Sequence, residues 1–109
     1  MARISTHVLD IAKGRPAAGI AVELGFSGKT LSRAITNSDG RTDEPLWVAS
    51  ILETGEYDLT FSVGDYFRAQ SEEAFFEHIT LSFVVRDAAG TYHVPLLLAP
   101  HGYSTYRGS

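Results

Sequence analysis

The sequence predicts an all-β sandwich carrying one short helical segment. Three observations lead there. Apolar residues recur at every second position through one segment after another, which is the period of a half-buried strand. Clusters of Gly, Asn, Asp and Ser interrupt the chain roughly every 8–12 residues, leaving about seven or eight short strands. Only Gly64 to Glu77 has the texture of a helix.

The elements follow in order. Ile4 to Ile11 reads as a first strand, with Ile4, Thr6, Val8 and Asp10 alternating against Ser5, His7, Leu9 and Ile11. Lys13-Gly-Arg-Pro16 is turn chemistry. Ala21 to Phe26 alternates again, and Ser27-Gly28-Lys29 turns it into a hairpin with Thr30 to Thr36. Asn37-Ser-Asp-Gly40 is a dense turn signal with Arg41 directly after it. Leu46-Trp-Val48 is a short apolar run, and Glu53-Thr-Gly55 breaks the chain before a clear strand from Glu56 to Val63. In the helical segment, Asp65 is placed to cap a first turn and Ser71 a second. His78 to Arg86 alternates as a strand, and Asp87-Ala-Ala-Gly90 is expected to fold Thr91 to Ala99 back on it as an antiparallel hairpin partner. Tyr103 to Arg107 makes the last strand.

A chain of 109 residues suits one domain over 1–109, and 44% hydrophobic residues suffice for its core. Net charge is −4 and the arginines are scattered, so no nucleic-acid partner is expected. With no cysteine, disulfides and thiolate metal sites are excluded. The N-terminal residues lack an apolar leader and no apolar run reaches spanning length, so the expectation is a cytoplasmic protein without membrane contact.

Candidate chemistry centres on four histidines. His78 and His101 lie at a strand start and in a turn, where surface residues are ordinary. His7 and His93 lie inside strands, and a hydrogen-bonded structural imidazole is the commoner reading of such a position. Two histidines without patterned carboxylates are a weak metal signal, so no metal is expected. There is no Gly-x-Ser-x-Gly elbow and no Gly-rich phosphate loop. What remains is acid–base work on water by imidazole at neutral pH, with Arg41 available to stabilise negative charge. Spacing alone does not bring His7, Arg41 and His93 together. The closing Tyr103-Ser-Thr-Tyr-Arg-Gly-Ser109 is polar, aromatic and cationic after an apolar strand; it reads as a surface edge or as one wall of a site.

Five segments carry a resemblance: Ile4-Ser-Thr-His-Val-Leu-Asp10 with Gly14-Arg-Pro-Ala17; Asn37-Ser-Asp-Gly-Arg-Thr-Asp43; Glu56-Tyr-Asp-Leu59; Tyr92-His-Val-Pro-Leu-Leu97; and the Tyr103–Ser109 ending. Taken in order they resemble the transthyretin-like family, and within it the bacterial 5-hydroxyisourate hydrolases. The likeness covers essentially the whole chain, and the Tyr106-Arg-Gly-Ser109 ending is its most specific part, since hormone-carrying transthyretins lack that ending and the histidines. The resemblance implies a sandwich of two four-stranded sheets with a short helix. It also implies a homotetramer with sites at the dimer–dimer interface, a small-molecule substrate and no cofactor. By the same likeness His7, Arg41 and His93 are catalytic, and His7, Arg41, Tyr106, Arg107, Gly108 and Ser109 bind substrate. The implied reaction opens a ring of 5-hydroxyisourate with water in urate breakdown; either histidine can serve as the base. A carrier using the same clefts without chemistry is the competing expectation.

Overall fold

A computed structural model describes all residues, 1–109. Strand β1 (Ala2–Asp10) shows the alternation without a break: Ala2, Ile4, Thr6, Val8 and Asp10 are buried, while Arg3, Ser5, His7 and Leu9 face outward. The chain then turns into the two-residue β2 (Arg15–Pro16), which pairs back on Leu9 and Asp10. β3 (Ala21–Phe26) and β4 (Lys29–Ile35) form the expected hairpin, with a bulge at Leu24/Gly25. β5 (Trp47–Ala49) lies against Ala2–Ile4, and β6 (Gly55–Ser62) pairs with β3. Helix α1 (Val63–Arg68) leads to β7 (His78–Val85), β8 (Thr91–Ala99) and β9 (Gly102–Thr105).

Two sheets result. One has the order β4-β3-β6-β7; the other runs β2-β1-β8-β9 with β5 also on β1. Since β2 and β5 occupy opposite ends of the same β1 edge, the second sheet is at most four strands across at any level. Between the sheets lies one apolar core that includes Ile4, Val8, Leu24, Tyr57, Leu59, Phe61, Leu96 and Leu98, with Phe67 of α1 closing one end.

Two sequence expectations are corrected. Thr91–Ala99 does not return on His78–Val85. β7 pairs with β6, whereas β8 runs parallel to β1 and antiparallel to β9. The turn still forms, with Gly90 N–H donating to the Asp87 carbonyl at 3.0 Å and Asp87 N–H to the Tyr92 hydroxyl at 2.9 Å. It carries the chain from one sheet to the other. A strand burying Tyr92, Val94, Leu96 and Leu98 gains most between two neighbours, and an edge hairpin would leave one side of it unpaired. The second correction concerns the helix. It stops at Arg68, Ser62 makes no side-chain cap, and Asp65 sits inside the first turn. Ser71 adopts a left-handed φ of 58°, which ends any second turn. Arg68 then clamps both oxygens of Glu77, at 2.8 and 2.6 Å, and ties the end of α1 to the residue before β7.

The fully buried polar residues are Thr6, Asp10 and Thr36, and each is hydrogen-bonded. The buried Asp10 carboxylate accepts the Tyr66 hydroxyl at 2.7 Å and Lys13 N–H at 3.0 Å, fastening α1 to the end of β1. Burial, and then the bond to Asp10, push the Tyr66 hydroxyl above its ordinary pKa. Buried Thr36 donates its hydroxyl to the Ala17 carbonyl at 2.7 Å and accepts Ile20 N–H at 2.9 Å. Thr36→Val keeps the shape and orphans both backbone groups. It is expected to cost about 1–3 kcal/mol, read as a lower denaturant midpoint at unchanged slope.

Candidate active site

The parallel β1–β8 ladder sets Ser5 opposite His93 and His7 opposite Pro95. Outward positions alternate on both strands, so Ser5, His7 and His93 share the outer face of one sheet, each half-buried. Each imidazole is then held by a different segment.

The Asn37–Gly40 turn docks beside His7. Asn37 organises it: its side-chain oxygen accepts Asp39 N–H at 2.9 Å and Arg41 N–H at 3.2 Å, and its amide donates to Asp43 at 3.0 Å. Val8 N–H donates to the Gly40 carbonyl at 2.8 Å, and Arg41 bridges to His7. Gly40 is required here. Its φ is +74°, and a Cβ would lie 2.2 Å from the Val8 carbonyl oxygen. The same turn presents the Asp39 carbonyl 2.8 Å from His7 Nε2. A carbonyl can only accept, so Nε2 carries the hydrogen and the neutral ring keeps its lone pair on Nδ1. Arg41 is exposed, and no carboxylate engages its guanidinium.

The C-terminal segment holds His93. Gly108 bridges to His93 in the register already set by the β8–β9 pairs, and its N–H donates to the His93 carbonyl at 2.7 Å. A Cβ on Gly108 would come within 2.5 Å of His93 Cδ2, so the tail crosses the imidazole at a distance only glycine permits. On the other side of the ring, Ser5 Oγ lies 2.9 Å from His93 Nδ1. Burial first, and then the nearby charges of Arg41 and His7, hold the His93 pKa below the ordinary histidine value.

The structure thus gathers His7, Arg41, His93 and Gly108. Arg107 turns elsewhere: its guanidinium stacks 4.4 Å from the Tyr92 ring centroid and donates to the Thr91 carbonyl at 3.2 Å. Tyr106 is exposed and borders a cleft of about 310 Å³ beside β7, and Ser109 follows Gly108 at the surface. His78 and His101 lie apart. A concavity of about 900 Å³ lies on the other sheet between β3, β4 and Thr42–Leu46, apart from His7 and His93. Sequence reasoning missed Ser5 and the Asp39 carbonyl as partners of the imidazoles. The spacing of Ser5 and His7, two residues apart on a strand, was the available signal for the first.

A family model described as HIUase/Transthyretin family matches residues 4–108. A 5-hydroxyisourate hydrolase of Deinococcus radiodurans is 50% identical, over 97% of this chain and 95% of that protein. A protein of Rhizobium meliloti named 5-hydroxyisourate hydrolase 2 is 49% identical, over 98% and 96%. Among solved structures, 5-hydroxyisourate hydrolase of Klebsiella pneumoniae superposes with a TM-score of 0.90 at 40% identity, covering 100% of both chains.

Two outcomes are expected from this geometry. Because the folded pKa of His93 is lowered, the unfolded chain binds more protons between that value and about 6.5. The His93 contribution to stability is complete above about pH 6.5 and declines as pH falls toward the folded pKa. Denaturant midpoints measured from neutral to mildly acid pH should fall more for the wild type than for His93→Asn. Gly108→Ala should break the bond to the His93 carbonyl. Faster hydrogen exchange of the residue 108 amide is the readout, with the core amides unchanged.

Proposed function

The chain belongs to the HIUase/transthyretin family, and on that premise we propose that it hydrolyses 5-hydroxyisourate, opening a ring of the substrate with water in urate breakdown to give 2-oxo-4-hydroxy-4-carboxy-5-ureidoimidazoline. The observation that carries this reading is the meeting of two hydrogen-bonded imidazoles with an uncommitted guanidinium on one sheet face. A carrier has no use for that combination; acyl hydrolysis at neutral pH does.

In the proposed mechanism His7 takes a proton from water on Nδ1, the nitrogen left free by the Asp39 carbonyl. The water oxygen bonds to the ring carbonyl carbon, and Arg41 stabilises the negative charge that develops on the carbonyl oxygen. The carbon–nitrogen bond then breaks, its electron pair stays on nitrogen, and His93 relays the proton that nitrogen needs. Neutrality of His93 at physiological pH suits a group that must accept before it donates. Tyr106 and Ser109 bind and orient the substrate. Arg107 and Gly108 contribute by holding that segment against Tyr92 and His93.

The working form in this proposal is a cytoplasmic homotetramer with the sites at the dimer–dimer interface. Two features support the assembly: the catalytic face of the single chain is open, and exposed Ile11 continues it beyond Leu9. Apolar surface rimmed by polar residues is what a second subunit covers. As to location, no helix is long and apolar enough to cross a membrane.

Decay of freshly generated 5-hydroxyisourate, followed by ultraviolet absorbance, tests the proposal. Wild-type protein should accelerate it, and His7→Asn or His93→Asn should cut turnover by roughly 10²–10⁴-fold. Arg41→Lys should cost roughly 10²–10³-fold. Near-normal turnover in both histidine variants would sink the mechanism, and binding without acceleration would make the protein a carrier.

A further inference from the structure

We infer that Ser5 is a positioning residue that acts through His93, its hydroxyl fixing the ring's orientation and letting it change tautomer as the proton passes. The inference rests on the hydrolase reading above and assigns a part of the site not yet given a role.

Ser5 and His93 are direct partners across the parallel ladder, so the 2.9 Å contact between Oγ and Nδ1 is built into the strand register. Ser5 Oγ makes no other hydrogen bond with the chain. The far side of the ring is packed by Gly108 against Cδ2. Histidine χ2 is a broad, roughly two-fold torsion, so sterics alone admit a half-turn that exchanges Nδ1 with Cδ2. That half-turn would face a C–H to Ser5 and aim the polar nitrogen at the Gly108 backbone. The hydroxyl therefore selects one orientation, which leaves Nε2 as the edge directed away from both neighbours.

The chemical nature of the partner separates the two histidines. The Asp39 carbonyl only accepts, so it locks His7 as the Nε2–H tautomer, with a single basic nitrogen. A serine hydroxyl donates or accepts by rotating about its C–O bond. It can donate to an unprotonated Nδ1 while Nε2 bears hydrogen. It can equally accept from Nδ1–H while Nε2 is free to take a proton. No heavy atom needs to move between the two states. The charged and titratable groups facing His93 are Arg41 and His7, and neither occupies Nδ1.

Turnover and magnetic resonance together test this. Ser5→Ala should lower kcat on the order of tenfold with KM within about twofold, the loss of one hydrogen bond. Ser5→Thr, which restores a hydroxyl on the same face, should recover most of the rate. In the His93→Asn background Ser5→Ala should cost nothing further, because the two act as one unit. The imidazole ¹⁵N shifts of His93 should move in Ser5→Ala while those of His7 stay in place. Unchanged kcat in Ser5→Ala, additive losses in the double variant, or unmoved His93 shifts would each overturn the inference. If wild-type protein fails to accelerate decay, the hydrolase reading is what fails, and the resonance arm still reports whether Ser5 holds the ring.

Discussion

Everything at the site depends on the parallel pairing of β1 with β8. The two strands are separated by most of the chain, yet their register sets Ser5 beside His93 and puts His7 on the same face. A shift of β1 by one residue would send Ser5 and His7 into the core, away from His93, and bring Thr6 and Val8 out. That shift is blocked from inside. Ile4, Val8, Leu96 and Leu98 are buried together, and Thr6 donates its hydroxyl to the Val94 carbonyl at 2.6 Å across the same ladder. Hydrophobic burial on one face of the sheet thus fixes the chemical geometry on the other.

Two glycines convert this ladder into a site. Gly40 lets the Asn37 turn approach β1 until a carbonyl reaches His7, and Gly108 lets the C-terminal segment cross His93 in contact with the ring. In both cases backbone takes space that a side chain would otherwise fill. The approach leaves the imidazoles with backbone and hydroxyl partners in place of carboxylates. A carboxylate partner would raise the pKa of its histidine, whereas burial first, and then the neighbouring Arg41 and His7, lower that of His93. In the proposed mechanism an uncharged imidazole is needed, and the lowered pKa of His93 favours one.

The sandwich was legible in the sequence because period-2 alternation and turn clusters are local signals. β1, the β3–β4 hairpin, β6 and β7 are where alternation placed them, to within a residue or two at their ends. The partner of β8 was not legible. Nothing near Asp87–Gly90 tells a turn within a sheet from a turn between sheets; what decides is that Tyr92–Leu98 has apolar surface enough to be a central strand. Gly64–Glu77 misled in the same way. Its composition suits a helix, and its non-helical second half is spanned by the Arg68–Glu77 pair, which propensity does not register. For the site, motif resemblance singled out His7, Arg41, His93 and the ending, but periodicity could not join them, because the joining is done by strand order. Ser5 went unremarked for a related reason: its partner is set by register across the parallel ladder.

The pleat separates the residues of the core from those of the candidate site. Along β1, positions 2, 4, 6, 8 and 10 belong to the interior, and positions 3, 5, 7 and 9 belong to the outer face. Stability and chemistry are therefore written on alternate residues of the same strand. An outward substitution at Ser5 or His7 removes no buried methylene and breaks no ladder hydrogen bond, so its cost falls on the site and not on the fold. The reverse holds for Ile4 or Val8. What keeps the outer face from drifting freely is the second layer laid over it, the Gly40 turn and the Gly108 segment. A Cβ on Gly40 would meet the Val8 carbonyl at 2.2 Å and one on Gly108 the His93 ring at 2.5 Å, so both contacts depend on the glycine.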